Sequence, residues 1–95
     1  MAIIRIVRPP MVDAQTYDAV NAKLGIEQDL PEGLLMHSAG EVDGAWQIVD
    51  VWESEEHAQR FDDERLRPAI AEVSADAPAQ PPPTTLYQLH SLLMA

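Results

Sequence analysis

Asp43-Gly44 stands between two runs of β-forming residues, Gly33–Val42 and Ala45–Glu53. A two-residue hairpin loop of type I′ needs positive φ at both central positions, and Asp-Gly meets that need. With these two residues as the loop, Val42 faces Ala45, Ala39 faces Ile48 and His37 faces Asp50. A four-residue loop keeps the same residues on the same face, whereas a three-residue loop breaks the pattern. One dipeptide thus sets an imidazole beside a carboxylate.

The remaining elements follow from local signals. Ala2–Arg8 is rich in β-branched residues and stops at Pro9-Pro10, which cannot continue a ladder. Its apolar content on both faces predicts a central strand, with Arg5 and Arg8 near an edge of the buried zone. From Asp13 the period becomes helical: Tyr17, Val20, Asn21 and Leu24 share a stripe, Asp13 caps it and Gly25 stops it. Ser54 is a second N-cap, followed by Glu55 and Glu56 in a first turn where negative charge suits the helix dipole. Pro68 predicts a kink or two abutting helical pieces. Ser74–Pro83 reads as a Pro-rich linker and Thr84–Leu93 as a last strand.

The order β-α-β-β-α-β in one domain of 95 residues predicts an α+β fold: a four-stranded antiparallel sheet with both helices on one face. Both faces of the strands are apolar, as Ile3/Val7 against Ile4/Ile6 and Val49/Val51 against Trp46/Ile48/Trp52 show. A monomer would leave the second face wet, so a homodimer packing sheet against sheet is expected.

Composition removes several functions. Sixteen Asp+Glu against six Lys+Arg give a net charge of −10, which opposes nucleic acid and anionic membrane surfaces as partners. Residues 1–24 carry more Arg and Lys than carboxylate (Arg5, Arg8 and Lys23 against Asp13 and Asp18), so the negative charge lies beyond the first helix. Cysteine is absent, which removes disulfides and thiolate chemistry. No apolar run approaches the roughly 20 residues that span a bilayer. No signal-peptide pattern opens the chain either, and a cytoplasmic protein is expected. There is no phosphate loop, dinucleotide fingerprint or nucleophile elbow.

The best constellation for chemistry is His37 with Asp50, flanked by Trp46 and Trp52. A carboxylate beside an imidazole fixes its tautomer and favours its protonated form, as a general base requires. The tryptophans supply a wall for a flat apolar ligand. Tyr17 and Asn21, on the first helix's stripe, are the expected partners in that pocket, Asn21 orienting a substrate carbonyl. The bland reading of the same residues is a cross-strand polar pair, a core tyrosine and an amide bonded to a loop. Ser38 cannot serve His37 as a nucleophile, because neighbours on a strand face opposite ways. His57 and His90 lack metal-binding spacing, so no metal site is expected, and His57 reads as a surface residue. The carboxylates of Asp50–Glu64 read mostly as a solvated helix face. Arg5 and Arg8 either bind an anionic ligand group or neutralise carboxylates.

The segment Asp50-Val51-Trp52-Glu53-Ser54-Glu55-Glu56, within this element order, resembles the dimeric α/β-barrel superfamily, in particular antibiotic biosynthesis monooxygenase-like domains. The stretches His37–Ser54 and Glu64–Ile70 are similar to an actinobacterial branch of it. The resemblance implies a ferredoxin-like protomer, a sheet-on-sheet dimer and a ligand pocket between sheet and helices. Members often place an Asn on the first strand, where Ala2–Arg8 has none; haem-degrading members use a His on the second helix, where this chain reads Arg60-Phe61-Asp62. Together the residues and the resemblance predict a small enzyme without a bound cofactor. It would act on an apolar or aromatic metabolite as a monooxygenase or as a proton-transfer isomerase or cyclase. The alternative is a non-catalytic ligand-binding or structural dimer.

Overall fold

The computed structural model describes residues 2–9, 13–73 and 83–93. Four strands form one antiparallel sheet: β1 (Ile3–Val7), β2 (Leu34–Val42), β3 (Ala45–Trp52) and β4 (Thr84–Gln88), in the order β2-β3-β1-β4. β1 is central, as its two apolar faces predict. β4 is shorter than the sequence suggests, although the Leu89 amide still donates to the Ala2 carbonyl. The expected linker lies outside the described residues except for Pro83, whose carbonyl accepts from the Arg8 amide.

The hairpin forms as the Asp-Gly dipeptide dictates. Asp43 and Gly44 take φ of 51° and 81°, Val42 pairs with Ala45, and His37 pairs with Asp50. A bulge between Leu34 and Met36 shifts the register only at the start of β2.

Helix α1 (Ala14–Leu24) begins where the Asp13 carboxylate accepts from the Thr16 amide and ends at Gly25 in the left-handed conformation. Helix α2 (Glu55–Phe61) begins where Ser54 Oγ accepts from the His57 amide. The break expected at Pro68 is a π-helical turn, Asp62–Leu66, leading into α3 (Arg67–Val73). Pro68 has no N–H for the Glu64 carbonyl, and its ring crowds that carbonyl. The ladder widens just before it, with the Arg67 amide donating to the Asp62 carbonyl five residues back.

The helices share the sheet face that carries Ile3, Asp50 and Trp52. Its core is Ile3, Ile26, Trp52, Ala58 and Phe61, with Leu24, Leu34 and Leu66 packed against it. The Trp52 and Phe61 ring centroids lie 5.3 Å apart. On the other face Val51 is fully buried, while Val42 and Tyr87 stand open.

Gly33, with φ +85°, lies so close to the His57 ring that a Cβ there would collide with it. His57, read from sequence as a surface residue, is instead half-buried, its Nδ1 2.7 Å from Ser54 Oγ. The helix-capping geometry that draws it inward is invisible in a spacing pattern.

Candidate functional site

A row of polar side chains crosses the helix-covered face of the sheet. The register places His37 of β2, Asp50 of β3 and Arg5 of β1 directly side by side. His37 Nδ1 lies 2.5 Å from Asp50 Oδ1. Its Nε2 meets the Tyr17 hydroxyl from α1. A carboxylate oxygen accepts from Nδ1–H, which in the neutral imidazole leaves the lone pair on Nε2 and makes the phenol the donor to it. The Tyr17 and His37 ring planes are within 7° of parallel.

At the other end Arg5 Nη2 lies 3.5 Å from Asp50 Oδ2, while Asp62 on the π-helical turn takes Nη1 at 2.7 Å and Nη2 at 3.2 Å. Two carboxylates share one guanidinium, and the bidentate fork is the stronger contact. Arg5 also lies over the Trp52 ring, 5.7 Å from its centroid. Arg5 and Asp50 are buried, whereas the His37 side chain keeps 24% of its surface exposed. Arg5 and Asp50 are thus the closed middle of the row, while His37 at one end and Asp62, 23% exposed, at the other reach solvent.

Burial pushes the Tyr17 hydroxyl above the ordinary tyrosine value; hydrogen bonding to Asn21 opposes the shift, and the charges of Asp50 and Asp18 add to it. The phenol therefore keeps its proton at neutral pH. Trp46 tilts against Tyr17 at 5.3 Å between centroids, and its buried indole N–H has no partner among the described residues.

Of the residues singled out from sequence, His37, Asp50, Tyr17, Asn21 and Trp46 come together. Trp52 lies on the same face but is 1% exposed and packed into the core, with Arg5 of the row over its ring. Two positions depart from the sequence reading. Arg5 is not at an edge of the buried zone but 8% exposed at the centre of the sheet, neutralising carboxylates. Asp62 is no solvated helix charge: its amide bonds the Ala58 carbonyl, which sets it on the face of α2 that buries Ala58, and its carboxylate meets Arg5. Arg8 bonds Gln47 Oε1 at 2.8 Å. No metal-binding group of three His, Asp or Glu side chains forms among the described residues. Phe61, which the resemblance to haem-degrading proteins brought into question, is core. A surface depression on the flank of α2, lined by Glu55, Glu56, Gln59, Arg60, Asp63 and Glu64, lies apart from the row.

The topology and the position of the row invite comparison with solved structures. A conserved protein from Methanosarcina mazei superposes with a TM-score of 0.68 at 12% identity, covering 93% of this chain and 92% of that one. A protein described as a candidate antibiotic biosynthesis monooxygenase from Nitrosomonas europaea gives 0.63 at 10% identity, covering 96% and 100%. The chain has the antibiotic biosynthesis monooxygenase-like fold. SnoaB from Streptomyces nogalater, a cofactor-independent oxygenase, shares it with a TM-score of 0.58 at 11% identity over 97% of this chain and 94% of that one. No family model and no curated protein matches the sequence. No helix among the described residues is long and apolar enough to cross a membrane.

Proposed function

We propose that this monooxygenase-like chain is a small enzyme that removes a proton from an apolar or aromatic metabolite, with His37 as the base and Asp50 as its orienting partner. The observation that carries the reading is the Tyr17–His37–Asp50 chain of hydrogen bonds, closed on one side by Arg5 and open on the other. As the Tyr17 oxygen takes a proton from the ligand, its own passes to His37 Nε2, and Asp50 stabilises the imidazolium. Asn21 and the free indole N–H of Trp46 supply donors for a ligand oxygen. Trp52 holds the floor of the site by packing under Arg5. Isomerisation, cyclisation and reaction with dioxygen can all begin with loss of a proton from carbon, and the fold likeness to a cofactor-independent oxygenase supports the last. No bound cofactor is part of the proposal.

A homodimer through the outer sheet face, where Ile4, Ile6, Val49 and Val51 sit between the open Val42 and Tyr87, belongs to the same proposal. So does a cytoplasmic location. The second reading, a non-catalytic ligand-binding or structural dimer, draws on one observation: Tyr17 already occupies the imidazole nitrogen a substrate would need.

A panel of enolisable aromatic ketones and phenols tests the choice. Turnover that falls at least a hundredfold in both His37→Ala and Asp50→Asn supports the enzyme. Turnover unchanged in both contradicts it, and binding without turnover favours the second reading.

A further inference from the structure

The proton-transfer reading uses His37, Asp50 and Tyr17, and leaves unexplained why a second carboxylate reaches into the row. We infer that Asp62 is a positioning residue for this site: by sharing Arg5 with Asp50, it supplies the second negative charge that lets His37 take up a proton with the cluster electrically balanced. The inference rests on the proposed role of His37.

The argument begins with charge. Arg5 and Asp50 alone are a neutral pair, and a proton arriving on His37 would leave one positive charge in a largely buried setting. With Asp62 included, the four groups carry −1 when His37 is neutral and zero when it is imidazolium. A low-dielectric site favours the balanced state. Geometry points the same way. Asp62 holds Arg5 through both nitrogens, whereas Asp50 keeps only the longer 3.5 Å contact and turns its other oxygen to the imidazole at 2.5 Å. Asp62 thus draws the guanidinium away and leaves Asp50 available to His37.

The other groups near the row do not substitute for Asp62. Tyr17 on α1 stays protonated for the reason given above. Asp18 on the same helix is exposed, and Lys23 pairs with Glu72 of α3 in solvent. Glu41 of β2 is exposed, and Asp63, next to Asp62, pairs with Arg67 at 3.0 Å. Asp62 stands where α2 passes into the π-helical turn, its amide still bonded to the Ala58 carbonyl four residues back, and π-turns often mark functional positions.

NMR titration of the three histidines in the full chain tests the inference, with His57 and His90 as internal references. In Asp62→Asn the His37 midpoint should fall by about one pH unit, a roughly tenfold weaker hold on the proton. Asp62→Glu should restore it, and Asp63→Asn should leave it in place. A His37 midpoint that moves in Asp50→Asn but not in Asp62→Asn overturns this inference and spares the proposed function. A midpoint that moves in neither removes both. The unmodified protein provides a second readout should Asp62→Asn fail to fold. The Asp62 carboxylate carbon signal should step at the pH where His37 titrates, and a curve without that step overturns the inference.

Discussion

The two ends of β3 are built on different principles. From Asp50 to Trp52 every residue is buried, and Trp52 meets Ile3 of β1 and Ala58 and Phe61 of α2. From Ala45 to Val49 no residue is buried, and the helix above that half, α1, buries none of its own residues. The closed end gives the sheet a fixed platform of apolar contacts. The open end offers polar groups that solvent or a ligand can reach. His37 and Tyr17 belong to the open end but are tied to the closed one through Asp50 and Arg5. Rigid support with an accessible tip suits a group that must receive a proton in a defined direction.

The strongest way to break this contrast is at its apolar anchor. Trp52→Ala should cost about 3–5 kcal/mol in chemical denaturation, the range for truncating a large buried aromatic. A loss below about 1 kcal/mol would mean that the closed end is not the platform. Arg5→Met comes next. It leaves Asp50 and Asp62 facing one another without their shared cation, and unfolding should become easier by about 3 kcal/mol. Ser54→Ala removes the cap of α2 and should cost about 1 kcal/mol. His37→Gln, at the open end, should change stability by less than that while abolishing turnover, which is the separation the contrast requires.

The same division explains what could be read from the sequence. The Asp-Gly loop set the register by local chemistry, so His37 opposite Asp50 was legible, and so was the capping of α1 by Asp13 and Gly25. The stripe on α1 placed Tyr17 and Asn21 over that pair. Arg5 was harder, because its neighbour depends on β1 joining the free edge of β3 rather than that of β2, a choice made by the whole topology. Asp62 is hidden in an acidic run, yet its spacing of four from Ala58 and its place beside Phe61 set it on the buried side of α2, and that spacing is the signal that points to it.

Tyr17 sharpens the account from the pH side. Its folded-state value is raised, mainly by burial, so the native protein holds the phenol proton more tightly than the unfolded chain does. Its contribution to stability is therefore intact below about pH 10 and is lost as pH rises through the folded value. In a Tyr87→Phe background, where Tyr17 is the remaining tyrosine, phenolate absorbance should appear above pH 10 and thermal stability should decline over the same range. The smallest effects belong to the outer face. Val42→Lys and Tyr87→Lys alter side chains already open in the protomer, so they should spare the fold and halve the mass measured by light scattering, if the proposed dimer forms there.

The central claim is that Asp50 and Tyr17 hold His37 with a proton on Nδ1 and a lone pair on Nε2. Nitrogen-15 NMR of the imidazole, recorded where His37 is neutral, reads this directly. The account predicts a protonated Nδ1 and an Nε2 signal in the range of a hydrogen-bonded, unprotonated nitrogen. A proton on Nε2, with Nδ1 bare, would contradict it.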